Sequence, residues 1–191
     1  MRIKIDIDGV LRDMLSSMIS IYNETFKQNL TINQIEDYDI AKSFPAFQTT
    51  CRDPYKFFFD EHEKWTILSP NPYDGVVFSM KKLHDKGHKL VIVTKQPSTA
   101  SKKDTIEWLY MWDIPYDEIH FANEKWRIEG DILIDDNPEY LNEEREKSIK
   151  ICINMPYNQG SNGIRFKTFN DAADFIIDNE ELLSNLKKPT C

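Results

Sequence analysis

Carboxylates that follow two separate apolar runs are the residues of this chain whose types and spacing could do chemistry. Asp6 and Asp8 follow one run near the N-terminus, and Asp135 and Asp136 follow another. Both runs are rich in β-branched residues, so each acidic pair is expected where a buried strand ends. In open α/β sheets that edge binds ligands. Because clustered carboxylates need a cation, and hard oxygen ligands suit Mg²⁺, the pattern indicates metal-assisted chemistry on a phosphate.

The Asp-x-Asp-Gly segment has two interpretations. In the functional one, Asp6 is a nucleophile and Asp8 an acid/base group near the same reacting centre, while Gly9 permits a tight backbone path. In the other, the segment is a solvated, Asp-rich turn, which is the better interpretation of such a short motif in isolation. Further residues at the same sheet edge decide in favour of the first.

Four cationic or hydroxyl side chains join the carboxylates. Thr94 ends an apolar strand and could donate to a phosphate oxygen, and Lys125, ten residues before Asp135, could bind phosphate as a point charge. Each alone is weak evidence. Lys95 and Arg12 could add phosphate affinity, and each is equally well interpreted as an exposed cation on a loop.

The elements that must position these residues alternate after residue 74. Helical periodicity covers residues 13–28, and no strand pattern occurs between residues 14 and 73. Strands are expected at 88–93, 119–121, 132–134 and 149–153, with helices before the first, at 98–112, and at the end, where Asn170 is the expected cap. The last five residues, 187–191, should fray.

This order predicts an α/β fold, with a Rossmann-like, mostly parallel sheet and helices on both faces. We expect a catalytic core of residues 1–13 and 74–191, with residues 14–73 inserted as a small helical cap.

Composition limits the partners. The chain has 24 Lys and Arg against 32 Asp and Glu, a net charge of −8, which disfavours nucleic acid but allows a small phosphorylated molecule. The three cysteines lack the spacing of a disulfide framework or a zinc site. No apolar run approaches the roughly 20 residues that span a bilayer, so we expect a cytoplasmic protein without membrane contact.

Taken in order, these motifs resemble the four-motif series of the haloacid dehalogenase-like phosphatases. Residues 5–11, the segment from Lys125 to Pro138, and Tyr157-Asn158-Gln159 look most like the 5′(3′)-deoxyribonucleotidase family. Residues 30–73 match that family only in being helical and aromatic. Arg12 departs from the pattern, as does the sequence Lys95-Gln96-Pro97 after Thr94.

The resemblance implies roles for the carboxylates. Asp6 would form an aspartyl-phosphate, and Asp8 would protonate the departing oxygen and then activate water. Mg²⁺ would be held by the Asp6 carboxylate, the main-chain carbonyl of Asp8, and Asp135, with Asp136 orienting them from behind.

Residues 44–73 carry eight of the 23 aromatic residues. A nucleobase stacks on such rings with roughly 1–3 kcal/mol each, although most of these rings should form the cap core. Phe44, Phe47 and Trp65 are the better candidates for binding a base because they flank loops.

We therefore predict a Mg²⁺-dependent phosphatase for nucleoside monophosphates, with deoxyribonucleotides favoured. Alternatives left open are a phosphatase for another small metabolite such as a sugar phosphate, a nucleotide- or phosphate-binding module without turnover, and phosphoryl transfer to another alcohol. A homodimer is also left open, and no nucleic-acid partner is expected.

Overall fold

The centre of the computed structural model, which describes residues 1–186, is a six-stranded parallel sheet. Its strands are β1 (Arg2–Ile5), β2 (Lys89–Thr94), β3 (Glu118–Phe121), β4 (Ile132–Asp135), β5 (Ile149–Ile153) and β6 (Ile164–Phe166). They lie in the order β3-β2-β1-β4-β5-β6. The connections therefore diverge on either side of β1, and the carboxyl end of such a strand faces a ligand-binding crevice. The predicted α/β fold class is confirmed.

The register of the strands brings the carboxylates that follow β1 and β4 together at that crevice. Ile5 pairs with Ile92 on one side and with Ile134 on the other. The N–H of Asp6 then donates to the Ile134 carbonyl over 3.0 Å, so Asp6 and Asp135 leave their strands side by side. β2 runs two residues past Ile92 and ends at Thr94.

Helices cover the sheet. They are α1 (Met14–Phe26), α2 (Ile40–Ser43), α3 (Ala46–Thr50), α4 (Pro54–Lys56), α5 (Val76–Asp85), α6 (Thr99–Met111), α7 (Pro138–Asn142), α8 (Phe169–Asp178) and α9 (Glu180–Leu186). Apolar side chains of α5, α6 and α8 pack with β1, β2 and β4 in one hydrophobic cluster. Among the helices of residues 1–186, none has the length and apolar character needed to cross a bilayer.

A second hydrophobic cluster belongs to residues 14–73. α1 to α4 and two π-helical turns, Phe57–Glu61 and Lys64–Leu68, form this segment. The cluster contains Leu15, Met18, Ile19, Tyr22, Ile35, Phe44, Phe47, Phe57 and Phe58. Its existence is compatible with the predicted division into core and cap, which stays a prediction.

The chain enters and leaves this segment at one place. The Asp13 N–H donates to the Asn71 carbonyl over 3.0 Å, and the Tyr73 N–H donates to the Leu11 carbonyl over 2.9 Å. The two ends of residues 14–73 are therefore hydrogen-bonded to each other, directly after the Asp6-Ile7-Asp8-Gly9 turn.

The structure corrects the C-terminal prediction. Thr168 caps α8, because its hydroxyl accepts from the Asp171 N–H, whereas Asn170 lies inside the helix and donates to the Asp74 carbonyl. The short elements β6 and α7 had no sequence prediction. The expected fraying of residues 187–191 lies outside the described part of the chain.

Candidate active site

A buried cluster of three carboxylates surrounds one lysine. Oxygens of Asp6, Asp135 and Asp136 lie within 4.8 Å of one another. Lys125 Nζ lies 3.0 Å from Asp6 Oδ2 and 2.7 Å from Asp135 Oδ2, with the ring of Tyr140 4.3 Å away. The short helical turn Lys125–Arg127 brings this lysine to the sheet edge. With one cation against three carboxylates, the cluster would be negative when fully ionised.

Two carboxylate oxygens of this cluster have no hydrogen-bond partner. Asp135 uses both oxygens, for Lys125 and for the Asn137 N–H at 2.9 Å, but Asp6 Oδ1 and Asp136 Oδ1 are buried and unpaired. Burial raises the pKa of Asp6 to about 7, with neighbouring Asp135 adding to this shift and Lys125 opposing it. Burial and Asp135 likewise raise the pKa of Asp136 well above its ordinary value. A hard divalent cation fits this donor set, because it would satisfy both orphan oxygens.

Asp136 is held from outside the sheet by residues after β5. The Tyr157 hydroxyl donates to Asp136 Oδ2, and Asn158 Nδ2 donates to the Asp136 carbonyl over 2.7 Å. Gly9 packs against the same carboxylate with φ = +77°, and a Cβ there would lie 2.3 Å from Asp136 Oδ2. Sequence reasoning gave Asp136 only an orienting role; its free oxygen also makes it a candidate metal ligand.

The Asp8 side chain is not part of the carboxylate cluster. Its Oδ1 accepts from Arg12 Nε at 2.7 Å and its Oδ2 from Gln96 Nε2 at 2.8 Å. Arg12 is fully buried, so the interpretation of this residue as an exposed loop cation is wrong. It is also committed to Asp8 and not free for phosphate.

Thr94 and Lys95 differ in burial. Thr94 is buried at the end of β2, on the edge that carries the carboxylates, whereas Lys95 is exposed. Their roles in phosphate binding stay predictions.

A cavity of about 130 Å³ lies between Asp8 and Asp136 on one side and residues 14–73, the helical segment, on the other. Asp8, Gly9 and Asp136 form part of its wall. The rings that line it are those of Tyr38, Phe44, Tyr55, Phe59 and Tyr157. A larger surface groove, of about 730 Å³, runs along α6 and contains none of the predicted catalytic residues.

Of the three predicted base-binding residues, the structure brings one to the cavity. Phe44 lines it. Phe47 does not, because its ring packs among Phe26, Phe57 and Phe58, and Trp65 does not, because it is 63% exposed to solvent. The roles of Phe44, Phe47 and Trp65 in base binding stay predictions.

Sequence reasoning missed two aromatic residues of the cavity. Tyr157 belongs to the motif Tyr157-Asn158-Gln159, to which the sequence assigns no role, and Tyr38 gives no sequence signal. Their rings meet edge to face with centroids 5.4 Å apart, so a residue of the helical segment contacts one that holds Asp136.

Comparison with known proteins shows which family this chain resembles over most of its length. Residues 1–182 match the family model described as "5′ nucleotidase, deoxy (pyrimidine), cytosolic type C protein". The chain is 29% identical over 162 residues to 5′(3′)-deoxyribonucleotidases of Bacillus subtilis strain 168 and of Bacillus phage SPbeta, covering 84% of this chain and 88% of each relative.

A solved structure supports the fold. The crystal structure of a haloacid dehalogenase-superfamily hydrolase from Ehrlichia chaffeensis superposes with a TM-score of 0.51 at 13% identity, covering 93% of this chain and 96% of that chain. The chain therefore belongs to the deoxy (pyrimidine) cytosolic type C 5′-nucleotidase family, as a phosphoric monoester hydrolase with the haloacid dehalogenase-like fold.

Proposed function

We propose that this protein is a cytoplasmic enzyme that hydrolyses deoxyribonucleoside monophosphates with the help of Mg²⁺, through a phosphoryl group carried on Asp6. The observation that carries the proposal is the pair of unpaired, buried oxygens on Asp6 and Asp136, beside the fully buried Lys125. The names of the Bacillus subtilis and phage relatives support the choice of substrate.

The metal ligands would come from the carboxylate cluster. Asp6 and Asp136 each offer a free oxygen, Asp135 lies within the same cluster, and the main-chain carbonyl of Asp8 is the ligand that the family resemblance implies. When bound, Mg²⁺ would offset the repulsion between these carboxylates and the incoming phosphate dianion.

The residues of the chain divide the chemistry between them. A carboxylate oxygen of Asp6 forms a bond to phosphorus while the phosphorus–oxygen ester bond breaks. Asp8 gives a proton to the departing nucleoside oxygen, and it then takes a proton from the water that hydrolyses the aspartyl-phosphate. Lys125 limits the negative charge beside Asp6, and Thr94 donates a hydrogen bond to a phosphate oxygen, with Lys95 as a further cation.

The aromatic cavity would accept the nucleoside. Its rings lie beside Asp8 and Asp136, where the leaving oxygen must be. A base stacked on Phe44 or a neighbouring ring gains roughly 1–3 kcal/mol. A sugar phosphate has no flat face for these rings, which is why we favour a nucleotide.

The test is a panel of deoxyribonucleoside, ribonucleoside and sugar monophosphates, each with Mg²⁺ and with a chelator. We expect the highest kcat/KM for deoxyribonucleotides and loss of turnover in chelator. Asp6→Asn should abolish turnover without changing the melting temperature by more than a few degrees. Equal rates on sugar phosphates and deoxyribonucleotides would refute the proposed substrate preference. An active Asp6→Asn variant would refute the mechanism through an aspartyl-phosphate.

A further inference from the structure

Arg12 is the largest charged side chain that is completely buried in residues 1–186, and the proposed chemistry gives it no role. It lies four residues after Asp8, and its main chain closes the turn that carries Asp8: the Arg12 N–H donates to the Ile7 carbonyl and the Arg12 carbonyl accepts from the Gly9 N–H. The backbone of Arg12 is thus fixed to the catalytic turn itself.

Each nitrogen of the Arg12 guanidinium has a different partner. Nε donates to Asp8 Oδ1 over 2.7 Å, Nη1 donates to the Ile67 carbonyl over 2.6 Å, and Nη2 lies 3.4 Å from Thr105 Oγ1. The group also lies 5.2 Å from the ring centroid of Trp108. A planar, multiply bonded guanidinium has little freedom to rotate, so Nε is held at a fixed point.

The contacts of Arg12 join three parts of the chain. Asp8 belongs to the catalytic turn, Ile67 to the π-helical turn Lys64–Leu68 of the helical segment, and Thr105 and Trp108 to α6. Gln96 holds the second oxygen of Asp8 at 2.8 Å. Since both oxygens of Asp8 are engaged, the direction of the carboxylate is set by these neighbours.

We propose that Arg12 is a positioning residue for the proton transfer to the leaving group. It fixes the Asp8 carboxylate, and it makes the orientation of that carboxylate depend on the positions of the helical segment and of α6. This inference rests on the proposed function, in which Asp8 donates that proton. Arg12 itself touches neither substrate nor reacting atoms.

The test compares two substrates that differ only in their need for a proton. One is the best deoxyribonucleoside 5′-monophosphate; the other is its analogue with sulfur in place of the bridging 5′-oxygen, whose thiolate leaves without protonation. Because kcat/KM includes only the steps up to departure of the leaving group, hydrolysis of the aspartyl-phosphate does not enter. For Arg12→Gln we expect kcat/KM on the oxygen ester to fall about tenfold or more, and by no more than the 10²–10⁴-fold that general acid catalysis as a whole can supply. On the sulfur ester we expect less than a threefold change.

Arg12→Lys is the second variant, since it keeps the buried charge and is expected to fold even if Arg12→Gln does not. A single ammonium cannot hold Asp8 and the Ile67 carbonyl with the fixed geometry of a guanidinium. Arg12→Lys should therefore show the same selective loss of kcat/KM on the oxygen ester, but a smaller one. Arg2→Gln is the matched control, because Arg2 pairs with Glu118 at the opposite end of β1, and it should leave both substrates unaffected.

The outcomes separate the two proposals. Equal losses on both esters in the Arg12 variants, or no loss on either, would overturn the positioning role while leaving the phosphatase intact. Absence of turnover of either ester by the wild-type protein with Mg²⁺ would overturn the proposed function and this inference together.

Discussion

Replacement of Gly9 by alanine tests whether the catalytic turn and Asp136 fit together as tightly as the structure has them. An alanine at φ = +77° costs about 1–2 kcal/mol in backbone strain. Its Cβ would also lie 2.3, 2.6 and 3.0 Å from the three terminal atoms of Asp136, so this short, buried side chain must rotate. Rotation breaks the hydrogen bond from Tyr157 and leaves its buried hydroxyl without this acceptor, which costs about 1–3 kcal/mol. The expected total loss of stability is about 2–5 kcal/mol.

Gly87 offers the matched control, because it has φ = +81° but nothing within 4 Å of an added Cβ. Gly87→Ala should therefore lose only the backbone part, about 1–2 kcal/mol. Any gain from a stiffer unfolded chain is shared by both variants and disappears from their difference. Urea denaturation in the presence of a chelator measures both free energies without a metal contribution.

Activity gives a second readout of the same change. Displacement of a group by about 1 Å can cost roughly 10²-fold in rate, so Gly9→Ala should lose about that factor or more in kcat/KM, whereas Gly87→Ala should keep wild-type activity. Equal stability losses in the two variants would refute the reasoning, because they would mean that Asp136 moves aside at no cost.

Two further predictions concern buried side chains. Burial raises the pKa of Glu146, but hydrogen bonds from Lys4 and Ser148 outweigh it and leave the pKa below its ordinary value of 4.5. The pair therefore stabilises the fold above about pH 4.5, and this contribution is lost as the pH falls through the lower folded-state pKa. Lys4→Met should cost about 3–5 kcal/mol of unfolding free energy at pH 7 and less in acid. A loss that does not change with pH in urea denaturation would contradict this. Phe44→Leu should raise KM for a deoxyribonucleotide several-fold, whereas Phe47→Leu should lower the melting temperature and leave KM unchanged; equal KM values in both variants would show that Phe44 does not contact the base.

Periodicity and strand-end chemistry predicted most of the parallel sheet. The runs that became β1, β2, β4 and β5 are long and apolar enough to be recognised, because a strand buried on both faces has few polar residues. β6 has only three residues, Ile164 to Phe166, one of them a cation, so its sequence does not differ from a loop. Its pairing with β5 depends on tertiary contacts that no local pattern records.

The carboxylates were predictable and the groups that hold them were not. Asp6 and Asp135 follow recognisable strands, so register alone brings them together. Gln96 and Arg12 reach Asp8 through side-chain geometry that no local pattern records, and Arg12 also donates to the Ile67 carbonyl of residues 14–73. Phe47 and Trp65 show the same difficulty: a count of aromatic residues cannot separate rings that pack with one another from rings that face a cavity.

The hydrogen bonds that join the start and the end of the helical segment have an evolutionary consequence. Asp13 bonds to Asn71 and Tyr73 bonds to Leu11, so the segment is inserted between two points that are already adjacent. Segments with adjacent ends can be lengthened, shortened or exchanged without stretching the host sheet. A replacement that preserved this pair of bonds would bring a new cavity wall to an unchanged set of carboxylates. Substrate choice and phosphate chemistry can thus diverge at different rates within one chain.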